Sequence, residues 1–139
     1  MKKIILILLV LFQGFAFSQS GIYTMGNPSS DGTIVKWTLT LNPDGTFLYH
    51  FLRDLSATSK YSTEENFYGK GTWKLNKKII EFSADSTDFN EKFTVNLNNA
   101  KARYITKSPR NISTKVIRTG LRFYASENSY IKGLQLFKN

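Results

Sequence analysis

The sequence predicts an all-β protein, an antiparallel up-and-down β-barrel of eight or nine short strands. Short runs of alternating apolar and polar side chains recur along the chain, and turn-forming residues separate most of them. No stretch has the period of a long amphipathic helix. Because tight turns join consecutive runs, hairpins follow one another, and closing such a meander removes the exposed sheet edges.

Residues 1–18 are predicted to be a signal peptide, which leaves 19–139 as a single β-barrel domain. Lys2 and Lys3 precede an apolar run at 4–12, and small residues follow before the expected cleavage point. An uncleaved N-terminal anchor is the alternative. The chain has no cysteine, so we expect neither a lipoprotein anchor nor disulfides in a protein that is periplasmic or secreted.

The first strand is predicted at Gly21–Tyr23, and the central hairpin at Thr33–Asp54. The hairpin turns at Asn42–Gly45, where proline presets φ, aspartate can bond its own backbone and glycine accepts a left-handed conformation. The register follows by counting outward from a three-residue loop. It places four cross-strand pairs on one face: Leu41–Phe47, Leu39–Tyr49, Trp37–Phe51 and Val35–Arg53.

A loop at Leu55–Phe67 leads to a second predicted hairpin at Tyr68–Ala84. A two-residue turn at Asn76–Lys77 keeps the apolar side chains of both strands on one face. This register places Trp73 opposite Ile80 and Gly71 opposite Phe82.

The third hairpin is predicted at Glu91–Lys107, with a turn at Asn98–Asn99. It places Phe93, Val95 and Leu97 beside Tyr104, Ala102 and Ala100. A further strand is expected at Lys115–Ser126, where Ile117, Thr119, Leu121 and Phe123 alternate inward. The last strand is expected at Tyr130–Phe137, with a bulge near Gly133.

Two stretches, LTLNPDGTFLY at Leu39–Tyr49 and GKGTWKLNKKIIEF at Gly69–Phe82, resemble the small lipocalin-like proteins of bacterial envelopes. Those proteins show a Gly-x-Tyr first strand, here Gly21–Tyr23, a hairpin with an Asp-Gly turn, and a Gly-x-Trp strand, here Gly71–Trp73. In true lipocalins the Gly-x-Trp motif lies on the first barrel strand, whereas here it lies mid-chain. The resemblance therefore implies a lipocalin-like barrel with an apolar cavity or binding surface, and no particular ligand.

The inward aromatic side chains are the largest feature of the predicted barrel. They line a cavity for a small apolar ligand, or they fill the core of a narrow eight-stranded barrel. In the first interpretation the tyrosine hydroxyls orient the ligand. The ligand-binding candidates are Trp37, Tyr49, Phe51, Trp73, Phe82, Tyr104 and Phe123.

Positive charge is concentrated in the C-terminal third, which carries ten basic side chains and one acid from Lys92 onward. Five of these cations are predicted to face outward on neighbouring strands: Lys92, Lys101, Arg103, Arg118 and Arg122. An anionic envelope glycan or lipid head groups would suit such a basic patch, and plain solubility charge is the alternative. We expect no nucleic acid partner in an exported protein, and we expect a monomer.

No catalytic residue, metal site or cofactor is predicted. His50 is the single histidine, and it faces outward with no nucleophile and acid aimed at it. With no cysteine and one histidine, transition-metal ligation would rest on carboxylates. The sequence favours a non-enzymatic exported binding protein with a small apolar or amphipathic ligand. The alternative is an envelope interaction module that docks its basic outer face on acidic glycan, anionic lipid or a protein.

Overall fold

A computed structural model of the chain describes residues 18–26, 28–61 and 63–139. The predicted signal peptide, residues 1–18, lies outside the described residues except for Ser18. Within the described ranges, no helix is long and apolar enough to cross a membrane. The eight strands are β1 (Gly21–Met25), β2 (Ile34–Leu41), β3 (Thr46–Asp54), β4 (Glu64–Asn76), β5 (Ile79–Ser83), β6 (Lys101–Ile105), β7 (Gly120–Ala125) and β8 (Gln135–Lys138).

Each strand pairs antiparallel with the next, and β8 pairs with β1 to close the barrel. The predicted up-and-down β-barrel is therefore confirmed. In this topology, the connections after odd-numbered strands lie at one end, which we call the open end because the cavity described below lies there. The connections after even-numbered strands lie at the opposite, closed end.

The central hairpin has the predicted register throughout, because Trp37 pairs with Phe51 and every other pair follows by counting. Asn42 donates its amide to the Thr46 carbonyl at 2.9 Å, and the Asp44 carboxylate accepts the Thr46 amide at 2.9 Å. Gly45 has a φ of 87°, which a side chain would strain. Local turn chemistry therefore fixes which side chains of β2 and β3 point inward.

The predicted register of the second hairpin is wrong by two residues, although its faces are right. The two-residue turn is Lys77–Lys78 rather than Asn76–Lys77, so Trp73 pairs with Phe82. The observed register also places Leu75 opposite Ile80, a second apolar pair that the predicted register lacks. A slip of two residues preserves the side-chain alternation, and Trp73 and Phe82 are still buried together.

The predicted third hairpin is not formed. Residues 84–100 are instead a long connection, and β6 pairs with β5 and β7. β5 pairs only with the second half of β4. Within the described part of the chain, the first half of β4 therefore has no strand partner at the edge that faces β5. The connection lies along this edge, where the Tyr68 carbonyl accepts the amides of Thr94 and Val95 at 3.0 and 2.9 Å.

The last two strands are shorter than predicted. β7 begins at Gly120 rather than Lys115, and Leu121 and Phe123 are buried as expected. β8 begins at Gln135, and Gly133, with a φ of 89°, lies in the preceding turn rather than in a strand bulge. The segment 106–119 is therefore a long connection at the closed end.

The core fills the barrel from the closed end up to the connections at 84–100 and 126–134, which contribute Leu97, Ala100, Ile131 and Leu134 to it. The Phe82 ring contacts Phe47 edge to face, with centroids 5.2 Å apart, and stacks on Phe123 at 5.3 Å. Gly71 leaves room for this packing, because a Cβ there would lie 2.2 Å from the Ser83 carbonyl oxygen and 2.9 Å from the Phe47 ring. These contacts surround the Phe82 ring, which is fully buried.

Candidate ligand-binding cavity

A cavity of about 810 Å³ occupies the open end of the barrel. The inner faces of β2, β3 and β4 form one wall. The connections at 84–100 and 126–134 contribute the opposite wall. The barrel is therefore filled at one end and hollow at the other.

Three stacked rings, the aromatic row, dominate the strand wall. Trp37, Phe51 and Phe67 are direct cross-strand partners on β2, β3 and β4, so they lie side by side on the inner face. The Trp37 and Phe51 centroids are 4.9 Å apart, and those of Phe51 and Phe67 are 5.8 Å apart. All three line the cavity and remain partly exposed.

Tyr49 lies one inner position further from the open end, where the cavity meets the core. Its partners in the sheet are Leu39 and Gly69. Because Gly69 has no side chain, Val95 and Leu97 approach the inner face of β4 there. Burial raises the pKa of the Tyr49 hydroxyl to about 12, although its side-chain hydrogen bond with Trp37 acts in the opposite direction.

We expect this raised pKa to make the barrel sensitive to alkali. Neutral Tyr49 stabilises the fold fully below its unfolded pKa of about 10, and this contribution disappears as pH rises through about 12. The predicted loss is about 2 to 3 kcal/mol across that window. It is measured by urea unfolding at increasing pH, and Tyr49→Phe should make the profile shallower, while Tyr23, whose pKa burial also raises, keeps part of the slope. The exposed-ring control Tyr61→Phe should leave it unchanged, and an equal effect of both variants would contradict the assignment.

The rim of the cavity is polar and charged. Arg53 and Glu65 form an ion pair between β3 and β4, in which Arg53 Nε donates to Glu65 Oε2 at 2.6 Å. Arg53 lines the cavity beside Val35 on the strand wall, and Glu127 lines it from the opposite wall. Charges of both signs therefore surround an apolar interior.

The connection wall carries mainly polar side chains. Thr94 and Asn96 come from the connection before β6, and Asn128 and Tyr130 come from the connection before β8. These residues line the same space as the aromatic row, and the side-chain oxygens of Asn96 and Asn128 also accept the backbone amides of Asn98 and Tyr130. The cavity can therefore present an apolar surface and hydrogen-bonding groups to one molecule.

The structure divides the seven predicted ligand-binding residues between the two halves of the barrel. Trp37, Tyr49 and Phe51 line the cavity. Trp73, Phe82 and Phe123 are buried in the core, and half-buried Tyr104 packs against it. The two interpretations left open by the sequence, filled core and cavity, thus apply to different halves.

Sequence reasoning missed Phe67 and the residues of the connection wall. The predicted loop at Leu55–Phe67 includes Phe67, whereas the structure places this residue on β4, two residues before Gly69 and in the same alternation. The predicted third hairpin includes Thr94, Val95 and Asn96, which lie in the connection before β6. No sequence signal marks the free edge of β4 on which they lie.

The five predicted basic patch residues lie on β6, on β7 and in the connections that precede these two strands. Arg103 and Arg122 are cross-strand partners, and Lys101 lies two residues before Arg103 on the same strand, with its ammonium 3.6 Å from Glu81. Lys92 lies in the connection before β6, where its ammonium is 4.9 Å from the Tyr68 ring centroid. Arg118 precedes β7 and lies over the Phe137 ring at 4.2 Å.

His50 lies on the outer face, as its register predicts. Its ring stacks on Tyr68 with centroids 4.5 Å apart, and its Nε2 is 2.7 Å from the Asn66 amide oxygen. Among the described residues, no three histidine or carboxylate side chains are grouped to hold a metal ion.

The fold and the site together define an eight-stranded up-and-down β-barrel with a ligand-sized cavity at one end. No protein-family model, curated protein or solved structure matches the chain.

Proposed function

We propose that the chain is a non-enzymatic, exported binding protein that holds a small apolar or amphipathic ligand in the open end of a lipocalin-like barrel. The observation that carries the proposal is the cavity of about 810 Å³ beside a tightly filled core. Its volume lies within the range of roughly 300 to 1,000 Å³ that is typical of sites for small molecules.

The cavity lining indicates the chemistry of the ligand. The aromatic row, with Val35 and Val95, offers apolar surface that a ligand would remove from water. Arg53, Glu127 and the amides of the connection wall offer partners for a polar group at the rim. An amphipathic molecule would place its apolar part on the aromatic row and its polar part among these rim groups.

The position of the two tryptophans provides the test. Trp37 lies in the cavity wall, whereas Trp73 lies in the core and donates its indole N–H to the Asn42 carbonyl at 3.0 Å. Titration with the amphipathic fluorophore 1-anilinonaphthalene-8-sulfonate should show saturable, one-to-one binding with a change in tryptophan emission.

Matched substitutions separate binding in the cavity from binding elsewhere. The change in emission should be much smaller in Trp37→Phe than in Trp73→Phe, because Trp37 lines the cavity and Trp73 lies in the core. A fluorophore that does not bind, that binds without saturation, or that is sensed by Trp73 alone would refute the proposal.

A further inference from the structure

Charge is divided between the two ends of the barrel. The open-end connections, 26–33, 55–63, 84–100 and 126–134, carry five acids and three cations. The closed-end connections, 42–45, 77–78 and 106–119, carry six cations and one acid. The closed end is therefore strongly positive, and its cations are Lys77, Lys78, Lys107, Arg110, Lys115 and Arg118.

Two aliphatic side chains extend from this positive end into solvent. Ile112 and Val116 belong to the connection between β6 and β7, and they are 97% and 85% exposed. Arg110 and Lys115 lie within two residues of them, and both cations are exposed. Apolar side chains that are exposed to water do not contribute to the stability of the fold. Because these two lie among cations, they would suit contact with a surface that is both anionic and apolar.

The connection is held by its own hydrogen bonds. Lys107 Nζ donates to the Ser113 carbonyl at 2.8 Å, and the Ser113 amide donates to the Asn111 side-chain oxygen at 3.0 Å. The Asn111 amide donates to the Ser108 carbonyl at 2.9 Å. These bonds present Ile112 at the tip of a defined turn.

We propose that the closed end of the barrel docks on an anionic phospholipid bilayer through the connection 106–119. Ile112 and Val116 enter the interface between head groups and acyl chains, and Arg110 and Lys115 bind lipid phosphates. Head groups and acyl chains lie within a few ångströms of each other in a bilayer, which matches alternating cationic and aliphatic side chains on one short segment. Docking in this orientation leaves the cavity at the end away from the membrane, and it does not depend on the proposed ligand binding.

Co-sedimentation with vesicles tests the docking. The chain from Gln19 onward is used, because its eight strands close the barrel, and circular dichroism verifies that each variant is folded. It should bind phosphatidylcholine vesicles that contain phosphatidylglycerol, and it should not bind vesicles of phosphatidylcholine alone. Arg110→Gln with Lys115→Gln should weaken binding on the order of 30-fold, at about fivefold for each cation. Ile112→Ser with Val116→Ser should weaken it roughly tenfold or more.

Matched substitutions at the open end provide the controls. Lys60→Gln with Lys132→Gln removes two cations, and Tyr61→Ser removes a side chain that is 76% exposed. Neither should change vesicle binding. Failure to bind anionic vesicles, equal binding to neutral vesicles, or a greater effect of the open-end variants would overturn the proposal.

A second measurement separates insertion from simple charge attraction. The chain lacks cysteine, so Thr114→Cys accepts a single environment-sensitive fluorophore between Ile112 and Val116. Emission from this label should shift to the blue on anionic vesicles, whereas the same label at Tyr61→Cys should not respond. Two results would assign the surface to an acidic polymer instead. One is a label whose emission does not shift. The other is vesicle binding that soluble heparin abolishes but that the two serine substitutions leave intact.

Discussion

Replacing Phe82 by alanine should lower the free energy of unfolding by about 3 to 5 kcal/mol. Phe82 is fully buried, and its ring packs between Phe47 and Phe123. The strands around it are fixed by continuous ladders, so the space left by the ring cannot collapse. Urea unfolding followed by circular dichroism measures the loss.

Phe67→Ala is the matched control for Phe82→Ala. It removes the same side chain from the inner face of the barrel, but Phe67 lies in the cavity wall and is 38% exposed. We expect its effect on the free energy of unfolding to be a small fraction of that of Phe82→Ala. Equal losses would mean that the two ends of the barrel are packed alike.

Replacing Phe51 by aspartate should abolish binding of the amphipathic fluorophore in the cavity. Phe51 stacks on both Trp37 and Phe67, so the substitution removes the centre of the aromatic row. It also places a carboxylate against an apolar ligand surface, which is unfavourable unless the charge is paired. The affinity should fall on the order of 100-fold or more, as measured by fluorescence titration.

Leu48→Asp is the matched control for Phe51→Asp. Leu48 is on the same strand, but it faces outward and is 43% exposed. The new carboxylate there lies in water, away from the cavity, so binding of the fluorophore should not change. If Leu48→Asp weakened binding as much as Phe51→Asp, the fluorophore would have to bind elsewhere.

Much of the barrel could be predicted because hairpin information is local. The turn at Asn42–Gly45 sets every pair between β2 and β3. In the second hairpin, the predicted turn lies one residue too early. Because side chains alternate with a period of two residues, Trp73 and Phe82 are still correctly predicted to point inward. Turn chemistry and alternation thus fix the direction of side chains more securely than they fix register.

The connection from 84 to 100 could not be predicted, because its contacts are not local. Phe93, Val95 and Leu97 alternate like a strand, but their position depends on where β5 stops pairing with β4. The Tyr68 carbonyl and the missing side chain of Gly69 then accommodate the connection. Nothing in the sequence of residues 84–100 itself indicates either of these contacts with β4.

The cavity was unpredictable for a related reason. Trp37 and Trp73 have the same inward pattern in the sequence, yet one lines a cavity and the other lies in the core. Trp37 shares the cavity with residues of the connections at 84–100 and 126–134, whereas Trp73 lies near the closed end of β4. Both positions depend on the assembled sheet rather than on any one hairpin.

The most direct measurement is the map of backbone amide shifts in the NMR spectrum as the amphipathic fluorophore is added. A barrel that binds its ligand in the open end predicts saturable shifts at Trp37, Phe51, Phe67 and residues 94–96, with the amides of Phe82 and Phe123 unmoved. Shifts confined to the outer face around Arg103 and Arg122, or none that saturate, would contradict this function for the cavity.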